Sequence, residues 1–324
     1  MGHPEAAAAL LEPLGRDLQR PECVLGSRTG DVFVSDWRGG VTMLRRDGSQ
    51  QTWIGRAGTF ELRPNGIALT RDGTFLIAHL GDTGGIWELE RDGRLTPRLT
   101  EVGGLPLPPT NFVTVDERGR TWISVSTRRS PRQRAWRADV ADGFIVLLDE
   151  RGARIVADGL HYTNEVRPDP SGEWLYAVET FGRRLVRFPV RADGELGTRE
   201  TVITLGDGCF PDGFAFDETG GIWITSLVSN RLLRLRPDGR LETVIEELDQ
   251  EFVSRTERAF AAGAMSAEHL GPIPGTRLQH VTSVAFGGPD LRSVYLGSLH
   301  NTCIHRFRAP VAGARPTHWR IDLP

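Results

Sequence analysis

Six similar segments recur along the chain, and this repeat constrains the fold more than any other feature. Each segment has a short apolar strand, a glycine-containing turn and a second strand rich in aromatic and β-branched residues. The segments are PECVLGSRTGDVFVSDW, PNGIALTRDGTFLIAHL, TNFVTVDERGRTWISVS, TNEVRPDPSGEWLYAVE, PDGFAFDETGGIWITSL and VTSVAFGGPDLRSVYLG, and they begin at residues 21, 64, 110, 163, 211 and 281. A further strand follows most of them, so each unit is a meander of about four strands.

The spacing of these units predicts an all-β fold, a six-bladed β-propeller of four-stranded blades. Successive segments start 43, 46, 53, 48 and 70 residues apart, and propeller blades repeat at about 40–50 residues. Two stacked β-sandwiches are a less economical alternative, because they leave the sixfold repeat unexplained. We expect residues 1–324 to form a single domain.

Three segments fall outside the regular pattern. Residues 1–19 are expected to form an N-terminal extension with a short helix, and residues of about 127–140 and 241–279 are expected to be insertions that roof the channel. The second insertion has helical composition near 250–272. A basic run, STRRSPRQRAWR at residues 126–137, overlaps the first insertion. We interpret this run as a solvated loop, with contact to an anionic partner as the alternative.

The composition is that of an ordinary soluble globular protein, with 39% hydrophobic and 25% charged residues. A net charge of −3 argues against a nucleic-acid partner, and no apolar stretch approaches the roughly 20 residues that span a bilayer. The widely spaced Cys23, Cys209 and Cys303 give neither a disulfide framework nor zinc-ligand spacing. We therefore predict a cytoplasmic protein with reduced thiols and no membrane partner.

The second residue of each repeat is polar in all six copies. These residues, which we call the polar column, are Glu22, Asn65, Asn111, Asn164, Asp212 and Thr282. Because the first strand of a propeller blade is the innermost, the column becomes a ring of oxygens around the channel. Two carboxylates with carboxamides suit a hard cation such as Ca²⁺, whereas Zn²⁺ prefers His or Cys. The alternative is that the column only solvates the channel or caps strand entrances.

Each second strand returns to the level of the column, so its last residues are expected near the same rim. These residues are Asp36, His79, Glu179, Ser226 and Ser298. His79 can alternatively be a buried histidine bonded between blades. His161, His280 and His300 lie beside or at strand ends, where they are candidates for pocket lining or proton transfer.

Four stretches of the repeats resemble one known family. NGIALTRDG, NEVRPDPSGEWLYAVET, PDGFAFDETGGIWITSL and VTSVAFGGPDLRSVYLGS are similar to the senescence marker protein (SMP-30)/gluconolactonase/luciferin-regenerating enzyme family, and more distantly to the paraoxonases and diisopropylfluorophosphatase. The resemblance covers about residues 20–310. It implies a six-bladed propeller with a divalent cation, usually calcium, in the channel, and it implies lactone hydrolysis.

The resemblance also implies roles for individual residues. Glu22, Asn164 and Asp212 match metal-binding positions, and Asn111 matches a position that contacts metal or substrate. The chain departs from the family in the pairs Asn111-Phe112 and Asn164-Glu165, where Asn-Asp and Asn-Gly are common. Pro109 stands where some members carry an arginine that holds a sugar acid. The absence of that arginine argues against a sugar lactone. The two insertions would roof the channel differently, as expected for a larger or more apolar substrate.

We therefore predict a metal-dependent hydrolase that opens a lactone or a related ester. Calcium is the expected cation, with Mg²⁺, Mn²⁺ or Zn²⁺ as alternatives. It would polarise the carbonyl while a carboxylate activates water. Asp212 is the candidate base by resemblance, and Glu179 or a rim histidine is the alternative. The residues expected to contact substrate are Asn65, Asn111, His79, Glu179 and His161.

Other functions remain open at the level of the sequence. Phosphotriester hydrolysis at the same metal is one, and a metal-binding or ligand-binding propeller without turnover is another, because a fold does not dictate a function. A metal-free enzyme of the strictosidine synthase type would leave the Glu, Asn and Asp set without a purpose. The chain has no Gly-x-Ser-x-Gly motif, so a serine nucleophile is not indicated.

Overall fold

Six four-stranded antiparallel sheets surround a central channel in the computed structural model, which describes residues 10–321. The first strand of each sheet contacts the first strands of both neighbouring sheets, so the six strands form a closed ring. These inner strands of blades 1 to 6 are β2 (Val24–Gly26), β6 (Pro64–Leu69), β12 (Thr110–Val115), β16 (Thr163–Pro168), β20 (Pro211–Phe216) and β24 (Val281–Gly287). The six-bladed propeller predicted from the repeat is confirmed.

The other strands of each blade follow outward from the ring. The second strands are β3 (Val32–Asp36), β7 (Phe75–His79), β13 (Thr121–Val125), β17 (Trp174–Glu179), β21 (Ile222–Ser226) and β25 (Ser293–Ser298). The third strands are β4 (Gly40–Leu44), β8 (Ile86–Leu89), β14 (Gly143–Asp149), β18 (Arg184–Pro189), β22 (Arg231–Leu235) and β26 (Ile304–Arg308). The outer strands of blades 1 to 5 are β5 (Gln50–Ile54), β9 (Leu95–Leu99), β15 (Gly152–Leu160), β19 (Glu200–Thr204) and β23 (Leu241–Glu246).

Blade 6 takes its outer strand from the other end of the chain. This strand is β1 (Glu12–Leu14), and it pairs antiparallel with β26, so that Leu14 lies opposite Ile304. The ring is therefore joined between two distant parts of the sequence. The short helix was predicted within residues 1–19, of which residues 1–9 lie outside the described residues. The described part, residues 10–19, contains β1 and no helix.

The long insertion begins later than the sequence suggested. Leu241–Glu246 forms β23 and pairs with β22, so the expectation that the insertion starts at residue 241 is wrong. The predicted helical part is confirmed by helix α1 (Gln250–Ala261), which starts where the Asp249 carboxylate accepts a hydrogen bond from Phe252 N at 2.8 Å. A 3-10 helix, Ala267–Leu270, follows. Within residues 10–321, no helix has the length and apolar character needed to cross a membrane.

The smaller elements lie in the connections between strands. The two-stranded hairpin of β10 (Glu101–Val102) and β11 (Leu105–Pro106) follows blade 2. The insertion between β13 and β14 contains a 3-10 helix, Arg132–Ala135, and a last 3-10 helix covers Thr317–Arg320.

One motif recurs in blades 3 and 5 and shapes the core. Trp122 and Trp223 are almost fully buried, and each indole N–H donates to a carboxylate six residues earlier, at 3.0 Å for Asp116 and 2.9 Å for Asp217. The partner is needed because a buried indole N–H without an acceptor is costly. The Asp-Glu-x-Gly-x-x-Trp stretches therefore stabilise the hairpins of these two blades.

Candidate functional site

A cavity of about 560 Å³ opens at one mouth of the channel. Four residues of the polar column line it, namely Glu22, Asn111, Asn164 and Asp212. A second cavity of about 230 Å³ lies at the opposite end of the inner strands and contains no column residue. The first cavity is therefore the place where the column can act on a ligand.

The column faces the channel because the inner strands are irregular at these positions. In blades 2 to 6 the regular pairing with the second strand is interrupted around the column residue. The interruptions lie between Pro64 and Ile67, Thr110 and Phe112, Thr163 and Val166, Pro211 and Phe214, and Val281 and Val284. Such irregularities re-aim side chains and occur next to active sites. The repeated bulge therefore turns one sequence column into one ring.

The side chain of Asn65 holds Glu22 and does not line the cavity. Its Nδ2 donates to Glu22 Oε1 at 2.9 Å and to the carbonyl oxygen of Asn111 at 2.9 Å. Its Oδ1 accepts a hydrogen bond from Arg20 Nη1 at 2.7 Å. Both the oxygen and the nitrogen of the amide are thus hydrogen-bonded. The sequence predicted that Asn65 contacts substrate, and we now interpret it as a residue that positions Glu22.

Two buried acceptors in the cavity have no hydrogen-bond partner within residues 10–321. They are Glu22 Oε2 and Asn111 Oδ1. The nearest cation to Glu22 Oε2 is Arg20 Nη1, at 3.7 Å, which is an ion pair without a hydrogen bond. Leaving such acceptors unpaired costs about 1–3 kcal/mol each. Their chemistry fits a hard cation, which binds carboxylate and carboxamide oxygens.

A metal site in this cavity would depend on carboxamide oxygens as ligands. Within residues 10–321, no three Asp, Glu, His or Cys side chains group closely enough to hold a metal by themselves. A cation in this cavity would need Asn111 and Asn164 in addition to the carboxylates of Glu22 and Asp212.

The two carboxylates of the cavity sit in an unfavourable electrostatic environment. Burial raises the pKa of Glu22 to about 7, against the opposing effect of the Arg20 guanidinium. Burial also raises the pKa of Asp212 well above its usual range, and the negative charges of Glu22 and Glu165 add to this shift. A cation between them would reverse both effects, because an opposite charge favours the ionised form.

Asn164 and Asp212 form the other half of the site. Asn164 Nδ2 donates to the Asp212 carboxylate and also to Thr180 Oγ1, the latter at 3.1 Å. Asn164 therefore orients the Asp212 carboxylate from the neighbouring blade.

Glu165, which replaces the glycine common in the family, lies against the channel wall. It pairs with Arg167 at 2.8 Å and accepts a hydrogen bond from Phe214 N at 3.2 Å. A Cβ on Gly213 would lie 2.7 Å from Glu165 Oε1 and 2.6 Å from the carbonyl oxygen of Thr282, so only glycine fits between the blades. The Asn164-Glu165 pair thus supplies one group to the cavity and one to the packing of the channel.

Three residues predicted to contact substrate lie elsewhere. His79 Nδ1 accepts a hydrogen bond from Arg63 N at 2.9 Å, within the segment that leads into β6. Glu179 accepts one from His161 N at 2.9 Å and pairs with Arg184 at 2.7 Å. The ends of these second strands therefore cap the backbone of the preceding segment. His79, Glu179 and His161 do not line the cavity, which argues against contact with substrate there.

The roof of the cavity comes from loops that carry no repeat signal. Both insertions contribute to it, the first through Trp136 and the second through Leu270. Trp136 packs on Phe181 with ring centroids 6.1 Å apart, and Tyr162 meets the same ring edge-on at 4.9 Å. His300 also lines the cavity, and its Nε2 lies 2.6 Å from the carbonyl oxygen of Leu270.

Comparisons with known proteins agree with this architecture. A family model described as "SMP-30/Gluconolactonase/LRE-like region" matches residues 21–254. The chain is 32% identical over 236 residues to 6-deoxy-6-sulfogluconolactonase of Pseudomonas putida. The aligned region covers 72% of this chain and 67% of that protein. The chain spans about two thirds of the length of the curated relatives it matches.

Solved structures show the same fold at lower identity. A gluconolactonase from Xanthomonas campestris superposes with a TM-score of 0.66 at 20% identity, over 96% of this chain and 94% of that chain. Regucalcin from Agrobacterium tumefaciens, a calcium-binding protein, superposes with a TM-score of 0.65 at 18% identity, over 96% and 98% of the two chains. At such identities the likeness is one of fold.

The family match and the 32% identical relative together decide the classification. The matched residues 21–254 include the four column residues that line the cavity, Glu22, Asn111, Asn164 and Asp212. They also include the first five of the six inner strands. The chain belongs to the SMP-30/gluconolactonase/LRE-like family.

Proposed function

We propose that this chain is a hydrolase that opens a lactone ring, or a related ester, with a divalent cation bound in the larger cavity. One observation carries the proposal: Glu22 Oε2 and Asn111 Oδ1 are buried, unpaired acceptors in the cavity that Asp212 also lines. The Pseudomonas putida relative is named as a lactonase, and we extend lactone hydrolysis from that protein to this chain.

Glu22, Asn111, Asn164 and Asp212 would hold the cation. Calcium suits them because it accepts carboxylate and carboxamide oxygens in irregular geometry, whereas magnesium needs a tighter octahedron. Regucalcin, which shares the fold, is described as calcium-binding. When bound, the cation supplies a Lewis acid for the lactone carbonyl and a positive charge for the oxyanion that develops there.

Asp212 is the proposed general base. Among the described residues, only Asn164 donates a hydrogen bond to its carboxylate, so the group can still accept a proton from water. Its raised pKa, caused first by burial, increases its proton affinity toward the range that general bases use. Glu179, the alternative base, is neutralised by Arg184 and lies outside the cavity.

The rest of the cavity positions the substrate and excludes water. Its volume of about 560 Å³ lies in the usual range for small-molecule sites. Trp136, Tyr162 and Phe181 form an apolar wall on which the body of a lactone can pack. Asn65 and Arg20 act indirectly, because they fix the position of the Glu22 carboxylate.

Removal of the metal tests the proposal. Dialysis against EDTA is expected to lower lactone hydrolysis by about a hundredfold or more, since Lewis-acid stabilisation amounts to several kcal/mol. Calcium should restore the rate. Initial rates of acid release would be measured on γ-, δ- and aromatic lactones with calcium, magnesium, manganese or zinc added singly, and on a phosphotriester in parallel.

Each outcome has a defined meaning. Full activity of rigorously metal-free protein would refute the role of the cation. A higher kcat/KM for the phosphotriester than for every lactone would reassign the reaction. Calcium binding without turnover of any ester would indicate that the chain is a metal-binding or ligand-binding protein and not a hydrolase.

A further inference from the structure

The charges of the cavity do not balance once a divalent cation is bound. Two acidic side chains, Glu22 and Asp212, and two arginines, Arg20 and Arg132, line it. A divalent cation would neutralise the two carboxylates. The two guanidinium groups would then stand in a partly buried site without a counter-charge, which is unfavourable because fewer water molecules screen them than in bulk solvent.

The two arginines differ in how they are held. Arg20 donates to Asn65 Oδ1 at 2.7 Å, and its guanidinium lies 4.6 Å from the centre of the Trp37 ring. Among the described residues, Arg132 makes one hydrogen bond, from Nη1 to the Tyr162 hydroxyl at 3.3 Å. Arg20 is thus fixed to the column, whereas most of the five donors of Arg132 remain available to a ligand.

Arg132 also differs from the other arginines of its own segment. Arg128 pairs with Asp158 at 2.8 Å and Arg137 with Asp139 at 2.7 Å, and Arg129 lies 3.4 Å from Asp142. Arg134 is exposed and donates to the carbonyl oxygen of Ser130 at 3.1 Å. Of these five arginines in the basic run, only Arg132 lines the cavity.

The segment around Arg132 is firmly packed. Ala135 and Trp136 directly after it are buried, and Trp136 packs on Phe181. At the base of the insertion, Thr127 Oγ1 donates to Asp142 Oδ1 at 2.6 Å. Because this segment is anchored, the Arg132 guanidinium is pre-organised, and little conformational entropy is lost when it binds a ligand.

We propose that the substrate is a lactone with an anionic substituent, a carboxylate, sulfonate or phosphate group, and that Arg132 binds this group. The inference rests on the proposed lactone hydrolysis. A planar guanidinium binds such oxyanions through two parallel hydrogen bonds. Its positive charge also raises the local concentration of an anionic substrate. Arg132 is therefore a specificity residue, separate from the base and the metal ligands.

Two lactones that differ in one charge provide the test. D-Glucono-1,4-lactone and D-glucaro-1,4-lactone share the ring and differ at carbon 6, which is a hydroxymethyl group in the first and a carboxylate in the second. Wild-type protein with calcium should show a higher kcat/KM for the charged lactone. The ratio of the two kcat/KM values is the quantity compared among Arg132→Gln, Arg132→Lys and the control Arg134→Gln.

Arg132→Gln should lower this ratio by about tenfold to a hundredfold, mostly through KM, since hydrogen bonds to charged groups contribute on this scale. Arg132→Lys keeps the charge and should recover part of the preference. Arg134→Gln removes an exposed arginine from the same 3-10 helix and should keep the wild-type ratio. An unchanged ratio in Arg132→Gln, or an equal loss in Arg134→Gln, would overturn the proposal.

A binding measurement separates this inference from the proposed reaction. If wild-type protein hydrolyses neither lactone, these compounds are not substrates. Titration calorimetry with the ring-opened acids then tests whether Arg132 binds the anionic group. D-Glucarate should bind wild-type protein about tenfold more tightly than D-gluconate, and this difference should vanish in Arg132→Gln. Equal or absent binding of both acids to wild-type protein would overturn the role of Arg132.

Discussion

At the scale of single residues, the site consists of ligand groups and of side chains that hold them. Asn65 fixes one oxygen of Glu22, and Thr282 Oγ1 donates to the backbone carbonyl of Glu22 at 2.7 Å. Asn164 orients Asp212 in the same way. Six polar positions with one pattern in the sequence therefore divide into residues that face the cavity and residues that support them.

Substitution of Asp212 by asparagine separates its two proposed roles. Asp212→Asn keeps the size of the side chain but removes the base, so kcat should fall by about 10²–10⁴-fold. Calcium affinity should fall as well, because one charged ligand is lost. Steady-state kinetics at saturating calcium and a calcium titration by calorimetry measure the two effects.

Asp238→Asn is the matched control for this change. Asp238 lies in an exposed turn with 64% of its side chain accessible, far from the polar column in sequence. Exposed ion pairs contribute about 0–1 kcal/mol, so this variant should keep the wild-type kcat. A wild-type kcat in Asp212→Asn at saturating calcium would mean that another group is the base.

At the scale of secondary structure, α1 is tied to the propeller through one ion pair. Arg183 Nη2 donates to both oxygens of Glu257, at 2.7 and 2.8 Å, and Glu257 also accepts a hydrogen bond from Gly208 N at 2.6 Å. The Arg183 guanidinium lies between two rings, 4.4 Å from Phe210 and 4.3 Å from Phe260. The helix is thus held over blades 4 and 5 by a group that is largely shielded from water.

Removal of this carboxylate should loosen the roof of the cavity. Glu257→Ala leaves Gly208 N without its acceptor and leaves the guanidinium of Arg183 with only the longer contact to Asp207, at 3.5 Å. The free energy of unfolding should therefore fall by about 1–3 kcal/mol. Limited proteolysis should then cut within residues 247–279, and KM should rise more than kcat falls. Glu251→Ala, an exposed position on the same helix, should change neither the cleavage pattern nor KM. Protease resistance equal to wild type in Glu257→Ala would contradict this anchoring role.

The repeating strands and the helical part of the second insertion were predictable from the sequence, whereas the strand that closes the ring and the path of the first insertion were not. Five of the six repeat starts coincide with the first residue of an inner strand, for example Thr110 and Pro211. The pairing of β1 with β26 joins residues almost 300 positions apart, and no local pattern specifies such a partner. Arg132 reaches the cavity from the 3-10 helix of the first insertion, whose path depends on packing and not on periodicity.

The rim residues show a different limit of sequence reasoning. His79 and Glu179 were placed at the right level of the blade, opposite Pro64 and Thr163. Alternation along a strand does not say whether a terminal side chain turns toward the channel or back onto the backbone. In both cases an unpaired N–H of the preceding segment attracts the side chain, because a buried N–H without an acceptor is costly.

At the scale of the whole molecule, ring closure gathers groups that are far apart in the chain. Glu22 and Asp212 come from blades 1 and 5, yet the negative charge of Glu22 contributes to the raised pKa of Asp212. The folded protein must hold these carboxylates close together in a buried site, and the unfolded chain does not. Metal binding and global stability are therefore coupled.

This coupling has a definite dependence on pH. Burial raises the pKa of Glu22 from its ordinary value of 4.5 to about 7. Between these values the folded metal-free protein binds more protons than the unfolded chain, so its stability due to this group falls as pH rises. Above about pH 7 the carboxylate is ionised and free to bind a cation, whereas below it protons compete with calcium.

The rise in Tm caused by calcium should therefore grow with pH. At calcium concentrations about 100 times the dissociation constant, binding adds about 2.7 kcal/mol at pH 8, which corresponds to a rise in Tm of roughly 4 °C. At pH 5 the same concentration should give a much smaller rise. Buried histidines such as His280, whose pKa burial lowers to about 4, affect the metal-free and calcium-loaded forms alike and cancel in the difference. Scanning calorimetry with and without calcium measures the difference, with sodium chloride of equal ionic strength as the control, and an equal rise at both pH values would rule out Glu22 and Asp212 as the calcium ligands.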